Sequence, residues 1–414
     1  MSRLQSPNER LTIVVFGLIA SLPIAGLTAH YLQYVLGLRA LGHEVLYLED
    51  TGWYWDPWSA TYTDEWSEKK IPDRGCPQPA RRLQRLLLQY GLGRQWTWID
   101  IDATEYGVSG PALTRILRRA DLLIHVTGAG RLRERYLEIP CRAYVDTDPG
   151  YTQMRAARSN HLTELEVLKS HNVHFSFAGN INRSNCTIPH VGLQWRPSRQ
   201  PIHFPMWPLV PSVADAPFST VVKWAPYKPI EYQGALYGMK DIEFLRFIDL
   251  PRQQSSQLIL AIEGEPPISR SELNKRGWVI EDGLTVSKNL ASYRKFIASS
   301  RGEWSVAKNG YVATHSGWFS DRSASYMAMG RPVIVQSTGF ESWLPAGEGV
   351  HSFATINGAV EAIGVVQADY AFHRRRAHEI VHEYFDARFV LSDLIAQAMS
   401  SSARISPSNS PTGA

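Results

Sequence analysis

The chain has 414 residues, which at ~150 residues per domain predicts two or three domains. Hydrophobic residues make up 44% and charged residues 20%, a globular composition that excludes general disorder, collagen and a bare coiled coil. Lys+Arg 43 against Asp+Glu 39 leaves a net charge of +4, too even for a binder of phosphate backbones, so no nucleic-acid partner is expected. Cys76, Cys141 and Cys186 are too widely spaced for a zinc knuckle or a CxxC pair. Their odd number argues against a disulfide framework, and the cytoplasm is the expected compartment. The 13 Trp exceed what a core of this size usually needs.

In chain order, the apolar stretch Leu11–Ala29 is the first question. A bilayer span needs ~20 predominantly apolar residues, and Gly17, Ser21, Pro23 and Gly26 interrupt this one. It reads as a strand over 11–17, a loop over 18–26 and a helix over 27–41, with no integral membrane span. His43–Glu49 reads as the next strand, and Trp53–Arg74 as a long aromatic, charged loop suited to a surface. Helices over 80–90 and 111–119, a strand over 121–126, the turn Thr127–Gly130 and a strand over 141–145 follow. This alternation predicts a doubly wound, mostly parallel α/β sheet.

Between Pro189 and Pro229 the composition shifts to Pro, Trp, Arg and Ser without periodicity, which marks a domain connection. A second α/β pattern follows, with helices over 241–248, 290–299 and 323–329 and strands over 257–263, 311–314 and 332–336. A long helical stretch over 360–399 closes it. The expected division is an N-terminal Rossmann-like domain over 1–205, a second Rossmann-like domain over 206–372, closing helices over 373–399 and a disordered Ser/Pro/Asn tail over 400–414.

The stretch with most chemistry is Thr314–Val335, THSGWFSDRSASYMAMGRPVIV. A polar, glycine-containing loop leads into a helix near Asp321. Exposed amides at a helix N-terminus, the Ser320 and Ser323 hydroxyls, Arg322 and His315 together make a site for a diphosphate. Thr314–Ser320 resembles the Thr-His-Cys-Gly-Trp-Asn-Ser core of the donor-binding signature in nucleotide-sugar glycosyltransferases of the GT-B fold, with Ser316 for Cys and Phe319 for Asn. The Gly330-x-Pro332 ending arrives at the family spacing. The resemblance implies that His315 and Ser320 contact the donor diphosphate, within a donor-binding set of Ser316, Gly317, Asp321 and Arg322, and that Glu341 contacts the sugar hydroxyls. The ribose-binding acid of that family is replaced by Ser323.

Gly234–Lys240 is similar to the Gly-Arg-Leu…Lys segment that opens the donor domain of retaining GT-B enzymes. Lys240 matches its lysine, which would neutralise the departing diphosphate. The arginine of that segment falls on Ala235, leaving Arg322 to supply the charge, and the paired glutamates of those enzymes fall on Gly317 and Ser325. The whole chain also resembles an uncharacterised bacterial glycosyltransferase group, in Leu32-Gln33-Tyr34, Leu48–Gly52 and Asp146–Gly150.

The resemblance implies two Rossmann-like domains facing a cleft, a nucleotide-sugar as substrate, no cofactor, and a small-molecule, glycan or peptide acceptor. Asp146-Thr147-Asp148 fits the metal-binding DxD of the other glycosyltransferase fold, but that fold has one such domain and no metal is expected here. Asp148 and His30 are the candidate bases for an acceptor hydroxyl, each with a plain alternative as a turn residue or a helix-face histidine. Gly128-x-Gly130 is too short for a dinucleotide fingerprint. A nucleotide-sugar 2-epimerase of the same fold and a non-catalytic nucleotide- or glycan-binding protein are the rival readings.

Overall fold

The computed structural model describes residues 10–56, 61–64, 77–128, 130–158, 162–213 and 215–405. Cys76, most of the 53–74 segment and residues 406–414 of the expected tail lie outside them. The described part of the chain forms two open parallel sheets with helices packed around them.

The first sheet has eight strands, in the order Trp195–Pro197, Val173–Ser176, Cys141–Asp146, Leu122–Val126, Thr12–Phe16, Glu44–Glu49, Trp96–Ile99 and Glu105–Gly107. Its pairs are parallel except the last, Trp96–Ile99 with Glu105–Gly107. Thr12–Phe16 is buried along its whole length, which is why its sequence is an unbroken apolar run. The second sheet is parallel throughout, in the order Trp278–Asp282, Leu258–Glu263, Phe218–Lys223, Gly302–Ser305, Val333–Gln336, Val350–Phe353. Numbered along the chain that order is 3-2-1-4-5-6, and the direction of winding reverses between Phe218–Lys223 and Gly302–Ser305. In the first sheet the reversal lies between Thr12–Phe16 and Leu122–Val126. Ligand crevices in such sheets open outside the carboxyl ends of the strands at these points.

Helix Ala25–Ala40 is buried on nearly every side, because the first sheet, helix Leu290–Ala298 and the C-terminal helix all pack on it. At Gly37 a Cβ would come 2.6 Å from Leu391 and 2.9 Å from Ala387, so only glycine admits that helix so closely. No helix among the described residues is long and apolar enough to cross a membrane.

Four expectations change. The segment 311–314 is not a strand. The strand is Gly302–Ser305, and a short helix, Asn309–Ala313, follows it. The 53–74 segment is not simply a loop, since Trp53–Asp56 and Thr61–Asp64 pair as an antiparallel hairpin. The closing stretch is three helices, Ile356–Ala368, Tyr370–Phe385 and Ala387–Ile405, with Asp369 capping the second and Asp386 separating the last two. The last helix runs through 400–405, where a disordered tail was expected, and Arg196 donates to Ser401 Oγ at 2.7 Å. Of the thirteen tryptophans, Trp96, Trp98, Trp195, Trp207, Trp224, Trp278 and Trp304 are buried core residues.

Candidate functional site

The carboxyl ends of the two sheets face each other. On the second sheet, the loop Thr314–Ser320 joins helix Asn309–Ala313 to helix Asp321–Ala328. The loop is braced from inside. Ser316 Oγ donates to Tyr311 O at 3.1 Å and accepts from Trp318 N at 3.2 Å. Gly317 N donates to Thr338 O, and Thr338 Oγ1 to Trp318 O. Gly317 has φ +69°, and a Cβ there would lie 2.7 Å from Asn180, so glycine lets the loop touch the first unit. Trp318 stacks on Tyr311 at 4.4 Å, and Phe319 packs on Phe340 and Phe385. Ser316, Gly317 and both aromatic residues thus shape the loop, while Ser320 caps the next helix by accepting from Arg322 N at 3.2 Å.

His315 stands exposed with φ +48°, an uncommon backbone for a side chain with a Cβ. Glu341 is exposed in the turn Phe340–Ser342. Asp321 opens its helix and lies 3.5 Å from His30 Nδ1 in the first unit. Burial pushes the Asp321 carboxyl up, but His30 and Arg322 more than offset this and hold it below the usual carboxylate range. His30 is buried beside Tyr31, Tyr34 and Phe177, and its Nε2 has no hydrogen-bond partner.

The cations divide sharply. Arg322 Nε donates to Glu303 Oε1 at 2.5 Å and its Nη1 to Val221 O at 2.9 Å, so its charge is committed to a fully buried carboxylate. Lys240 begins the short helix Lys240–Leu245, and among the described residues its ammonium has no ion pair or hydrogen bond. Burial, and then repulsion from Arg322 and Lys308, hold its pKa well below the usual lysine value. It lines a small void with Thr220, Trp224, Ser305 and Arg322, at the point where the second sheet reverses. Thr220 Oγ1, Trp224 Nε1 and Glu303 Oε2 are buried there without partners. Polar groups left open at a sheet's reversal point mark a place for a ligand or ordered water.

Asp148, expected as a base on the acceptor side, instead ties the two units together. It accepts from Lys308 Nζ at 2.7 Å and from the Tyr227 and Tyr311 hydroxyls, all three from the second unit. Burial alone would raise its pKa, but Lys308 and both tyrosines bring it below the usual carboxylate range. A carboxylate closed by three donors has little capacity left to accept a substrate proton. Its neighbour Asp146 is closed as well, by Gln153, Thr152 and Ser176. Among the described residues, no group of three or more His, Cys, Asp or Glu could hold a metal ion. On the first unit, a depression of about 270 Å³ opens beyond Leu122–Val126, lined by Thr127, Gly128, Tyr144, Thr152, Arg155 and Glu164.

The structure therefore brings Ser320, Asp321, Arg322 and His30 together and sets Lys240 beside Arg322, while His315 and Glu341 stand exposed. Sequence reasoning missed Glu303, Lys308 and Asn180. Asn180 Nδ2 donates to His315 O and Gly339 O, holding the loop from the first unit. The one sequence signal for Lys308 was Lys308-Asn309-Gly310 after a strand, the start of a helix.

A scan against protein-family models and a search of curated protein sequences find no match. Solved structures do match in fold. An alpha-glucosyltransferase in complex with UDP and a 13-mer DNA containing a central A:G mismatch superposes with a TM-score of 0.56 at 12% identity, covering 93% of this chain and 99% of that one. An alpha-glucosyltransferase in complex with UDP-glucose and DNA containing an abasic site gives 0.55 at 12%, covering 94% and 100%. Anabaena Alr3699/HepE in complex with UDP and glucose gives 0.52 at 11%, covering 94% and 100%. The chain has the GT-B fold.

Proposed function

We propose that this chain is a glycosyltransferase that moves a sugar from a nucleoside-diphosphate donor to an acceptor hydroxyl without a metal ion. The observation that carries the reading is Lys240, which among the described residues makes no ion pair, at the reversal point of the second sheet. Breaking the bond between sugar and phosphate places negative charge on the departing diphosphate. A preorganised cation in a water-poor site stabilises that charge without reorganising. Arg322, paired with Glu303, acts in this reading as a support for the field rather than as a direct contact. Ser320 and the first amides of helix Asp321–Ala328 supply neutral donors beside it.

In an inverting reaction the acceptor proton goes to His30, whose free Nε2 and Asp321-facing Nδ1 give it the arrangement of an oriented base. The acceptor is a small molecule, glycan or peptide held on the first unit, near the depression lined by Thr152 and Arg155. The DNA in the two alpha-glucosyltransferase complexes belongs to those proteins, and the near-even charge here offers no basic stripe for a duplex. Among the described residues Cys141 and Cys186 are in no disulfide, and the reading places the protein in the cytoplasm.

Calorimetry with UDP, GDP and TDP, with and without EDTA, tests the donor site. Binding of at least one of them is expected to survive EDTA. Binding that vanishes with the chelator returns Asp146 and Asp148 as metal ligands. Incubation of the matching nucleotide-sugar alone then separates the rivals, since an epimerised sugar marks an isomerase.

A further inference from the structure

At the amino ends of the second sheet's strands, opposite the cleft, lies a depression of about 490 Å³ lined by Ser212, Tyr370, Arg374, Arg375, His378 and Glu379. It is built from the connection between the units and the start of helix Tyr370–Phe385. Its walls are cationic. Arg374 and Arg375 line it, and fully buried Arg331 lies just behind, next to Gly330, where a Cβ would come 3.3 Å from Arg374 Nε. Arg301 stacks on Tyr370 at 3.5 Å.

These guanidiniums are only partly used. Arg331 Nη2 donates to Pro211 O and Ala298 O, both at 2.7 Å, and Arg374 Nη2 donates to Val210 O at 2.6 Å. That fastens the connection but leaves Arg331 Nε, Arg331 Nη1 and Arg374 Nε buried without partners. Among the described residues neither Arg331, Arg374 nor Arg301 has a carboxylate partner. The one carboxylate on the wall, Glu379, is already shared by Arg375 at 4.0 Å and by Arg376. Burial lowers the Arg331 pKa, Tyr370 offsets part of this, and repulsion from Arg374 and Arg301 adds to it, so an anion would relieve the positive field that remains.

Buried guanidinium donors that stay open are expensive, and the groups that match their fork geometry are carboxylate and phosphate. The volume admits a small organic molecule, and the excess of cations favours the ligand with more than one negative charge. We infer that this depression binds the phosphate group of a small soluble phosphate ester, at a site separate from the cleft. Such a ligand would touch both Leu209–Ser212 and helix Tyr370–Phe385, the two places where the chain passes between the units.

Inorganic phosphate, titrated calorimetrically into the full chain, is the probe. Saturable binding is expected, weakened about tenfold or more by Arg374→Gln and by the more exposed Arg375→Gln, and left within about twofold by Lys240→Ala. Circular dichroism and the melting curve check each variant, and Arg375→Gln, on the surface, keeps the test sound if Arg374→Gln unfolds. Absence of saturable binding, affinity unchanged from the parent in both arginine variants, or loss in Lys240→Ala instead would overturn the site. Sedimentation with phosphatidylcholine vesicles containing phosphatidic acid covers the remaining source of phosphate. Vesicle binding that needs Arg375, in a chain that ignores free phosphate, would replace the soluble ester with a lipid headgroup.

Discussion

The two walls of the cleft treat buried charge in opposite ways. On the first unit each buried carboxylate is closed within its own wall or by the facing one. Glu49 accepts from Ala20 N, Ser21 N and Tyr47 OH, Asp50 from Arg133 and Tyr136, and Asp146 from three side chains. On the second unit Glu303 closes Arg322, while Lys240, whose backbone N donates to Trp224 O, makes no ion pair among the described residues. A wall whose charges are all closed is a rigid surface to lay something against. A wall with one open cation has a charge available to a ligand.

The hardest test of that contrast is Glu303→Gln. Removing one partner of a buried pair leaves the other uncompensated, and a loss of about 3–5 kcal/mol in unfolding free energy is expected by denaturant titration. A variant as stable as the parent would show that Arg322 finds its partner elsewhere. Lys240→Ala should do the reverse. Stability should hold or rise, because a half-buried ammonium with no ion pair among the described residues is removed, while kcat/KM falls about a hundredfold, or ~3 kcal/mol in the transition state. Steady-state kinetics and a melting curve on the same sample read both.

The third test uses pH. Burial pushes Glu49 up to about 6. A carboxyl with a raised folded-state pKa favours folding when protonated, so its contribution is present at low pH and is lost as pH rises from about 4.5 to about 6. At 1.36 kcal/mol per pKa unit that is ~2 kcal/mol. Asp148 is shifted the other way, so its contribution is present at neutral pH and is lost only as pH falls through a value below the usual Asp range. Subtracting the stability profile of Glu49→Gln from that of the parent should show the first trend, and Asp148→Asn the second. Identical signs for the two would undo the contrast drawn between them. The smallest effect expected is that of Ser401→Ala, which removes the bond from Arg196 and should cost about 1 kcal/mol in an equilibrium melt.

Much of the fold could be read from strands whose burial shows in their composition, such as Glu44–Glu49, Leu122–Val126 and Leu258–Glu263. Gly302–Ser305 escaped because its central Glu303 reads as solvent-facing, and only the arginine nineteen positions on explains why a charge sits there. The β-branched and aromatic residues near Tyr311–Thr314 resemble a strand, but they belong to a helix that packs Tyr311 on Trp318. The donor loop was legible as a local pattern. Which of its side chains face inward was not, since Ser316 and Gly317 are fixed by Thr338 and Asn180, from distant parts of the chain. Lys240 was found through a motif, but the pairing that removes Arg322 from competition depends on tertiary contact alone.

Helix Ala387–Ile405 has a consequence for biosynthesis. It packs on helix Ala25–Ala40 and the strand Cys141–Asp146, with Cys141 Sγ near Ala398 O at 3.5 Å. The first sheet therefore leaves the ribosome before the second and is completed after it. Its final strand ends at Pro197, and its covering helix arrives roughly 200 residues later. At ~5–20 residues per second the interval is on the order of 10–40 seconds. Throughout it, the groove that will receive Leu391, Leu394 and Ala398 stands open as an apolar furrow on a nascent chain. Whatever holds that furrow closed in the meantime, a chaperone or the growing second unit, takes part in making the protein before any ligand does.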